Sequence, residues 1–175
     1  MSGLLRLPMA IAVVLLVCAQ SSAAPLGLRT FSEETLPFTH PVSIPPAALG
    51  LVLRTRAAKS VLGDMNAVVR SNISQYFTAE PIQLTKSVDK DLLIRGQGKM
   101  AGADNDWYWI IASYDHHPRL ILFVGCLSLE IQSKKTNGYD DILALWNSAS
   151  STNSRLFRFD KMTYRLARNT WQASD

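Results

Sequence analysis

The chain has 175 residues, of which 18% are charged, and a formal net charge of +4 at pH 7; these values fit one ordinary folded domain. The basic residues are dispersed and form no basic motif interleaved with aromatics, so the composition disfavours nucleic-acid binding and is compatible with an acidic partner. With two cysteines in all, a fold built on a disulfide framework is excluded.

The first 23 residues predict a secretory signal peptide. Arg6 supplies the positive start, residues 9–17 form the apolar segment, and a small-residue cleavage site ends at Ala23. Because this apolar run is shorter than the roughly 20 residues that span a bilayer, we expect cleavage, a periplasmic or secreted location and no stable membrane insertion. A lipid anchor on Cys18 is the alternative, although Val17 does not fit a lipid-attachment signal.

After the signal peptide, residues 24–46 contain five prolines and no sustained period, which predicts an extended arm. A single α+β domain is expected over residues 47–175. At its start, apolar residues at three- and four-residue spacing predict a helical stripe that faces the core. The stripe consists of Ala58, Val61, Leu62, Met65, Val68 and Val69. Gly63 and Asp64 interrupt it, so one broken helix or two short helices within residues 48–76 both fit, with Asp64 as an N-cap.

Beyond residue 80 the apolar period becomes two, which is typical of strands with one buried and one exposed face. Strands are indicated at residues 82–86, 91–95, 107–110, 120–124, 127–132, 139–146, 155–160 and 163–167. Trp107 and Trp109 fall on one face of their strand, so at least one of them is expected to be buried. Short turns between the strands predict an α+β fold, in which a helix or helix pair precedes a mainly antiparallel β-meander of about seven to eight strands.

Two of the connections have distinctive chemistry. Asn137-Gly138 predicts a tight hairpin, because both residues accept positive φ angles. The segment at residues 147–154 consists almost entirely of small hydroxyl and amide residues and predicts an unusually long polar loop. Such a loop is either a flexible exposed connection or one that enters the cleft of a partner.

A family resemblance rests on the run Lys135-Thr-Asn-Gly-Tyr-Asp-Asp-Ile142, followed by Leu156-Phe-Arg-Phe-Asp160 and Tyr164-Arg165. This pattern resembles the T-N-G-Y-x-D-I turn and Y-R-F-D-G-x-x-Y hairpin of a group of exported bacterial β-rich proteins, over roughly residues 82–168. Lys161 stands where that group has a turn glycine, so a less tight hairpin is expected. The group includes lysozyme inhibitors and immunity proteins that neutralise peptidoglycan-cutting toxins.

Metal and catalytic motifs are sparse. His116 and His117 adjoin Asp115, but neighbouring residues of a strand point to opposite faces, so an exposed turn is expected in place of a metal site. Two carboxylate pairs, Asp89 with Asp91 and Asp104 with Asp106, lack the turn glycine and closing glutamate of a calcium loop. Calcium at either pair stays open as an alternative.

No nucleophile-elbow, zinc-protease or phosphate-loop motif is present in the sequence. Cys126 lies in an apolar stretch and is expected to be a small buried thiol. The sequence therefore predicts a non-enzyme without metal or cofactor, although a catalytic carboxylate pair is not visible in a sequence and a hydrolase stays the third alternative.

Compartment, size and resemblance together predict a periplasmic inhibitor or immunity protein that blocks a peptidoglycan-degrading enzyme, such as a cell-wall-degrading effector or lysozyme-like protein. The predicted contact residues lie in polar loops: Ser148, Ser150, Ser151, Thr152, Asn153, Asp104, Asp106, His116 and His117. The alternative from another class is a non-catalytic envelope protein that binds a ligand, a glycan or a structural partner.

Overall fold

The structure is a computed structural model that describes residues 29–32, 38–63, 66–102, 105–148 and 150–173. The described chain is mainly antiparallel β-structure in two sheets, with a layer of short helices, and so belongs to the α+β class that the sequence predicts. The predicted signal peptide, the predicted N-cap Asp64, the stripe residue Met65 and the predicted contact residue Asp104 lie outside the described residues. No helix among the described residues is long and apolar enough to cross a membrane.

The helices are α1 (Pro46–Leu53), α2 (Arg56–Leu62) and α3 (Asn66–Ser71), with single 3₁₀ turns at Ile73–Gln75 and Gly98–Met100. The strands are β1 (Arg29–Ser32), β2 (Phe77–Ile82), β3 (Asp91–Gly96), β4 (Asp106–Ala112), β5 (Arg119–Cys126), β6 (Ser128–Thr136), β7 (Tyr139–Ser148), β8 (Ser151–Phe159) and β9 (Tyr164–Ala173). One sheet has the order β2-β3-β4-β5 and the other the order β1-β6-β7-β8-β9. The predicted single meander is therefore divided into two sheets.

The helical segment is broken more often than the sequence predicts. The described helices are three short ones, and the first break comes at Thr55, whose hydroxyl donates a hydrogen bond to the Val52 carbonyl at 2.6 Å. The predicted apolar stripe is wrong at two positions, since Val61 is 42% exposed and Val68 is 50% exposed. Val68 lies beyond the end of α2, where the 3.6-residue period does not continue into α3. Val61 lies within α2, whose buried residues are Ala57, Ala58 and Leu62.

Part of the predicted arm packs on the domain. Strand β1, within residues 24–46, pairs with β6, and the buried rings of Phe31 and Phe38 meet edge to face at 5.8 Å. The Val42 amide donates a hydrogen bond to the Ala79 carbonyl at 2.9 Å. Burial of apolar side chains and backbone pairing thus order these stretches against the domain itself.

The first strand after the helices is displaced from the prediction at residues 82–86. Strand β2 lies at Phe77–Ile82, and Gln83 begins the loop that leads to β3. Pro81 lies inside β2 and lacks a backbone donor, which an edge strand tolerates because one side of it needs no partner.

The alternation predicted for β4 is confirmed. Trp109 and Ile111 are fully buried against the helical layer, while Tyr108 and Ile110 are fully buried between the two sheets. The four-stranded sheet is therefore covered on both faces, and β4 lies at the centre of the protein.

The two C-terminal turns follow the expected chemistry. Asn137 and Gly138 have φ angles of 51° and 84°, so the predicted tight hairpin between β6 and β7 is confirmed. Between β8 and β9 the Asp160 carboxylate accepts hydrogen bonds from the amides of Met162 and Thr163. Lys161 has a φ of 86°, which shows why a glycine would suit this turn better.

Candidate functional site

Three cavities lie side by side and share their walls. The central cleft has a volume of about 620 Å³, and Trp107 and Phe123 separate it from a cavity of about 360 Å³ beside α2, the α2 pocket. Trp146 and Arg155 separate it from a cavity of about 180 Å³ at the β7–β8 hairpin, the hairpin pocket. The three adjacent cavities are hereafter called the aromatic groove, and the volume of the central one is in the range typical of ligand sites.

The aromatic groove exists because the larger sheet is covered only in part. Ile142 and Ala144 of β7 are fully buried between the sheets. Farther along the same face, Trp146, Asn153 and Trp171 lie side by side across β7, β8 and β9. Trp146 is half-buried and Trp171 is 63% exposed, so this end of the face is open to a ligand.

A stack of aromatic rings forms the wall between the central cleft and the α2 pocket. The Phe123 ring lies between Trp107 and Trp109, with centroid distances of 5.3 and 5.4 Å and nearly parallel planes. Trp107 pairs with Gly125 across β4 and β5, where a Cβ atom would lie 2.9 Å from the Trp107 ring. Gly125 therefore allows Trp107 to lie flat on β5, and buried Trp109 fixes the stack to the core.

Arg155 is held at the boundary between the central cleft and the hairpin pocket. Its guanidinium carbon lies 4.2 Å from the centre of the Trp146 ring, a cation–π geometry. Its Nε donates a hydrogen bond to Asn153 Oδ1 at 3.1 Å, and Asn153 Nδ2 in turn donates to Asn169 Oδ1 at 2.8 Å. Asn153 is only 2% exposed, so the predicted contact residue is a buried support for Arg155 in this structure.

The predicted long loop at residues 147–154 is wrong as secondary structure. β7 extends to Ser148 and β8 begins at Ser151, which leaves a two-residue turn. Ser148 Oγ bonds with Ser151 Oγ at 2.8 Å, and Thr152 Oγ1 donates to Asn147 Oδ1 at 3.0 Å. Small polar residues favour loops locally, but here these cross-strand hydrogen bonds satisfy them in a hairpin. Of the predicted contacts, Ser148, Ser151 and Asn153 line the hairpin pocket, and Ser150 is exposed at the turn.

The acidic contact residue Asp106 lies inside the fold. It is 3% exposed, and its Oδ2 lies 3.7 Å from Arg95 Nε. The neighbouring Asn105 and Gly102 line the central cleft, and Asn105 Oδ1 is buried without a hydrogen-bond partner among the described residues. The sequence predicted contacts from Asp104 and Asp106 in this segment, whereas the described residue of the segment that lines the groove beside Gly102 is Asn105.

The histidine pair lies away from the groove. His116 and His117 are exposed in the turn between β4 and β5, whereas Trp107 and Gly125 of the groove lie at the opposite end of these strands. His116 Nε2 lies 3.6 Å from Asp115 Oδ2. Among the described residues, no three His, Cys, Asp or Glu side chains cluster in a way that could hold a metal ion.

Cys126 is free and fully buried, as the sequence predicts. Burial raises the pKa of its thiol far above the ordinary value, and the nearby charge of Asp106 raises it further. The thiol therefore stays protonated and does not contribute a nucleophile to the groove.

Comparison of the chain with protein-family models, with curated proteins and with solved structures found no match. The class of the protein is therefore described by its fold and its groove: a pair of antiparallel sheets, covered on one side by short helices, with an open aromatic groove at one end.

Proposed function

We propose that this protein is a non-catalytic binding protein that holds an extended saccharide chain in the aromatic groove. The observation that carries the proposal is that three neighbouring cavities share lining residues, with Trp107, Trp146 and Trp171 among them. Aromatic faces pack well against the apolar C–H faces of sugar rings, and planar amide and guanidinium groups can bond neighbouring sugar hydroxyls. The function is the ligand-binding alternative that the sequence left open.

The strand pairing at β7 and β8 supports a ligand that is bound there through side chains, whereas β5 and β9, which also border the groove, are sheet edges. β7 and β8, which supply Trp146, Asn153 and Arg155, are each paired on both sides. Their backbone groups are therefore occupied by the sheet, whereas extended peptides commonly bind by adding a strand to a free edge. Exposed Asn147 and Ser148 at the end of the groove offer the amide and hydroxyl groups that a saccharide requires.

Replacing Trp171 by alanine is expected to weaken saccharide binding roughly tenfold, because it removes an aromatic platform. Trp171 is 63% exposed, so its loss should leave the folded state intact. The measurement is a titration with soluble chito-, cello- and galacturonate oligosaccharides, monitored by calorimetry and by intrinsic tryptophan fluorescence. Three of the four tryptophans in the chain line the groove and contribute to that fluorescence.

The matched control is Leu166→Ala, which removes an apolar side chain, 53% exposed, from the same strand outside the groove. This control should bind like the unmodified protein. The proposal is wrong if none of the three oligosaccharide series binds, or if a hexaglutamate peptide binds more tightly than all of them.

The inhibitor predicted from the sequence is the second candidate, and one observation favours it. The β7–β8 hairpin ends in a short tip between Ser148 and Ser151, and Ser148 and Ser150 are exposed there beside the groove. A tip of this shape can enter the cleft of an enzyme, as the lysozyme-inhibitor resemblance implies.

If the protein inhibits a peptidoglycan hydrolase in this way, Ser150→Lys should lower inhibition at least tenfold, because a long charged side chain would obstruct the short tip. Ser71→Lys makes the same chemical change at an exposed position of α3 outside the groove; it is the matched control and should inhibit normally. Inhibition assays against lysozyme-like and amidase-like enzymes test this function, and equal effects of the two variants would contradict docking through the turn.

A further inference from the structure

We propose that the central cleft recognises a carboxylate on the bound chain through Arg155, so that the ligand is an acidic saccharide. This inference rests on the proposed saccharide binding and adds the charge of the ligand. It follows from the way Arg155 is held, from its free donors and from the charge of the groove around it.

Arg155 is fixed on two sides. The Trp146 ring lies at 4.2 Å from the guanidinium carbon, and Asn153 accepts a hydrogen bond from Nε at 3.1 Å. Asn153 itself is 2% exposed and is oriented by Asn169. A guanidinium that is already fixed loses little conformational freedom when a ligand binds, which is the condition for strong charge-assisted recognition.

The remaining donors of Arg155 are available to a ligand. Within the part of the chain that the structure describes, its two terminal amino groups have no hydrogen-bond partner. The flat fork of a guanidinium matches the two oxygens of a carboxylate, which it binds through two parallel hydrogen bonds. A saccharide that stacks on the neighbouring rings would place a ring substituent at this fork.

The charge of the groove favours the same ligand. The described lining of the three cavities contains the guanidinium groups of Arg56 and Arg155 and no carboxylate side chain. Arg56 lies in the α2 pocket, on the far side of the Trp107–Phe123 wall from Arg155. Two positive charges separated along one groove are complementary to a chain that carries repeated negative charges.

The inference is tested with galacturonate oligomers and their methyl esters, which share one sugar chain and differ only in the carboxylate. The unmodified protein should bind the acid at least tenfold more tightly than the ester at low salt. Added salt should reduce this ratio, because a partly exposed ion pair is screened. A sulfated oligosaccharide distinguishes a carboxylate site from a general anion site.

Arg155→Gln should lower affinity for the acid roughly 10- to 100-fold, the range of a charge-assisted hydrogen-bonded pair, and should change ester affinity less than threefold. Arg155→Lys keeps the positive charge but loses the planar guanidinium. Its ratio of acid to ester affinity should therefore lie between that of the unmodified protein and that of Arg155→Gln. Arg168→Gln is the matched control, since it removes the same charge from exposed β9 outside the groove. Thermal unfolding of each variant verifies that it is folded.

Equal affinity of the unmodified protein for the acid and the ester overturns the inference without any variant. If the esters bind, saccharide binding itself is still supported. The inference is also overturned if Arg155→Gln weakens both ligands equally, or if Arg168→Gln lowers the ratio as much. If the sulfated chain binds more tightly than the carboxylate chain, the site is a general anion site and the carboxylate assignment is wrong. If no saccharide binds, this inference falls together with the proposed function.

Discussion

The Trp109→Ala variant should lose about 3 to 5 kcal/mol of unfolding free energy. Trp109 is fully buried between the helical layer and the smaller sheet, with its ring centroid 5.4 Å from that of Phe123 and 5.6 Å from that of Phe77. Its Nε1 also donates a hydrogen bond to Thr55 Oγ1 at 3.2 Å, which links β4 to the start of α2. Truncation removes these contacts and leaves a cavity that the surrounding sheet and helices fill only in part.

Urea unfolding monitored by circular dichroism measures this loss. Trp171→Ala is the matched control, because it makes the same chemical change at a side chain that is 63% exposed, and it should change stability by about 0.5 kcal/mol or less. A cost below about 1 kcal/mol at Trp109 would contradict the described packing. Trp109→Ala should also perturb the groove, since Trp109 supports the stack of Phe123 and Trp107.

Local sequence patterns predict most strands of this fold and the faces they bury. The alternation at Trp107–Ile110 and the turn at Asn137-Gly138 are each decided by neighbours in the chain, through strand geometry and permitted φ angles. What these patterns do not contain is the pairing of distant segments. β1 is a strand because it adds to the edge of β6, and β2 lies at Phe77–Ile82 because those residues pair with β3. Non-local pairing therefore decides the elements that the sequence missed or displaced.

The groove residues were harder to predict than the strands. Trp146 and Arg155 are nine positions apart, and hairpin pairing brings the guanidinium onto the ring. A period of two assigns Trp146 and Ile142 to the same face, but it does not indicate where the second sheet stops covering that face. A tryptophan flanked by polar residues, as in Asn169-Thr-Trp171-Gln, was the available signal for an exposed aromatic.

Asp91 is a buried carboxylate with an unusual environment. It is 3% exposed, and its Oδ2 has no hydrogen-bond partner among the described residues. Burial raises the pKa of Asp91 from its ordinary value of 3.8 to about 6, although the amides of Leu84 and Ser113 donate hydrogen bonds to it and oppose the rise. The negative charge of Asp89 adds to the rise and the positive charge of Arg119 opposes it.

Asp160 has the opposite environment. Hydrogen bonds from Arg165 and from the amides of Thr163 and Met162 lower the pKa of Asp160 to about 2. Its stabilising contribution is therefore present above about pH 4 and is lost as the pH falls towards 2. Between pH 4 and pH 6.5 folded Asp160 stays ionised, and its contribution to stability changes little because its carboxyl in the unfolded chain titrates near 3.8.

We expect the free energy of unfolding to fall by about 2 kcal/mol between pH 4 and pH 6.5 because of Asp91. The folded state holds the Asp91 proton up to about pH 6, while the unfolded chain releases it near 3.8, so each rise in pH across this interval favours unfolding.

Asp91→Asn replaces the carboxylate by a group that does not ionise, and should make stability nearly constant over the interval. Asp115→Asn, at a carboxylate that is 46% exposed, is the control and should keep the slope of the unmodified protein. Urea unfolding at pH 4, 5, 6 and 6.5 measures all three proteins. An unmodified protein whose stability rises with pH over this interval, or an Asp91→Asn variant that keeps the fall, would contradict the assignment.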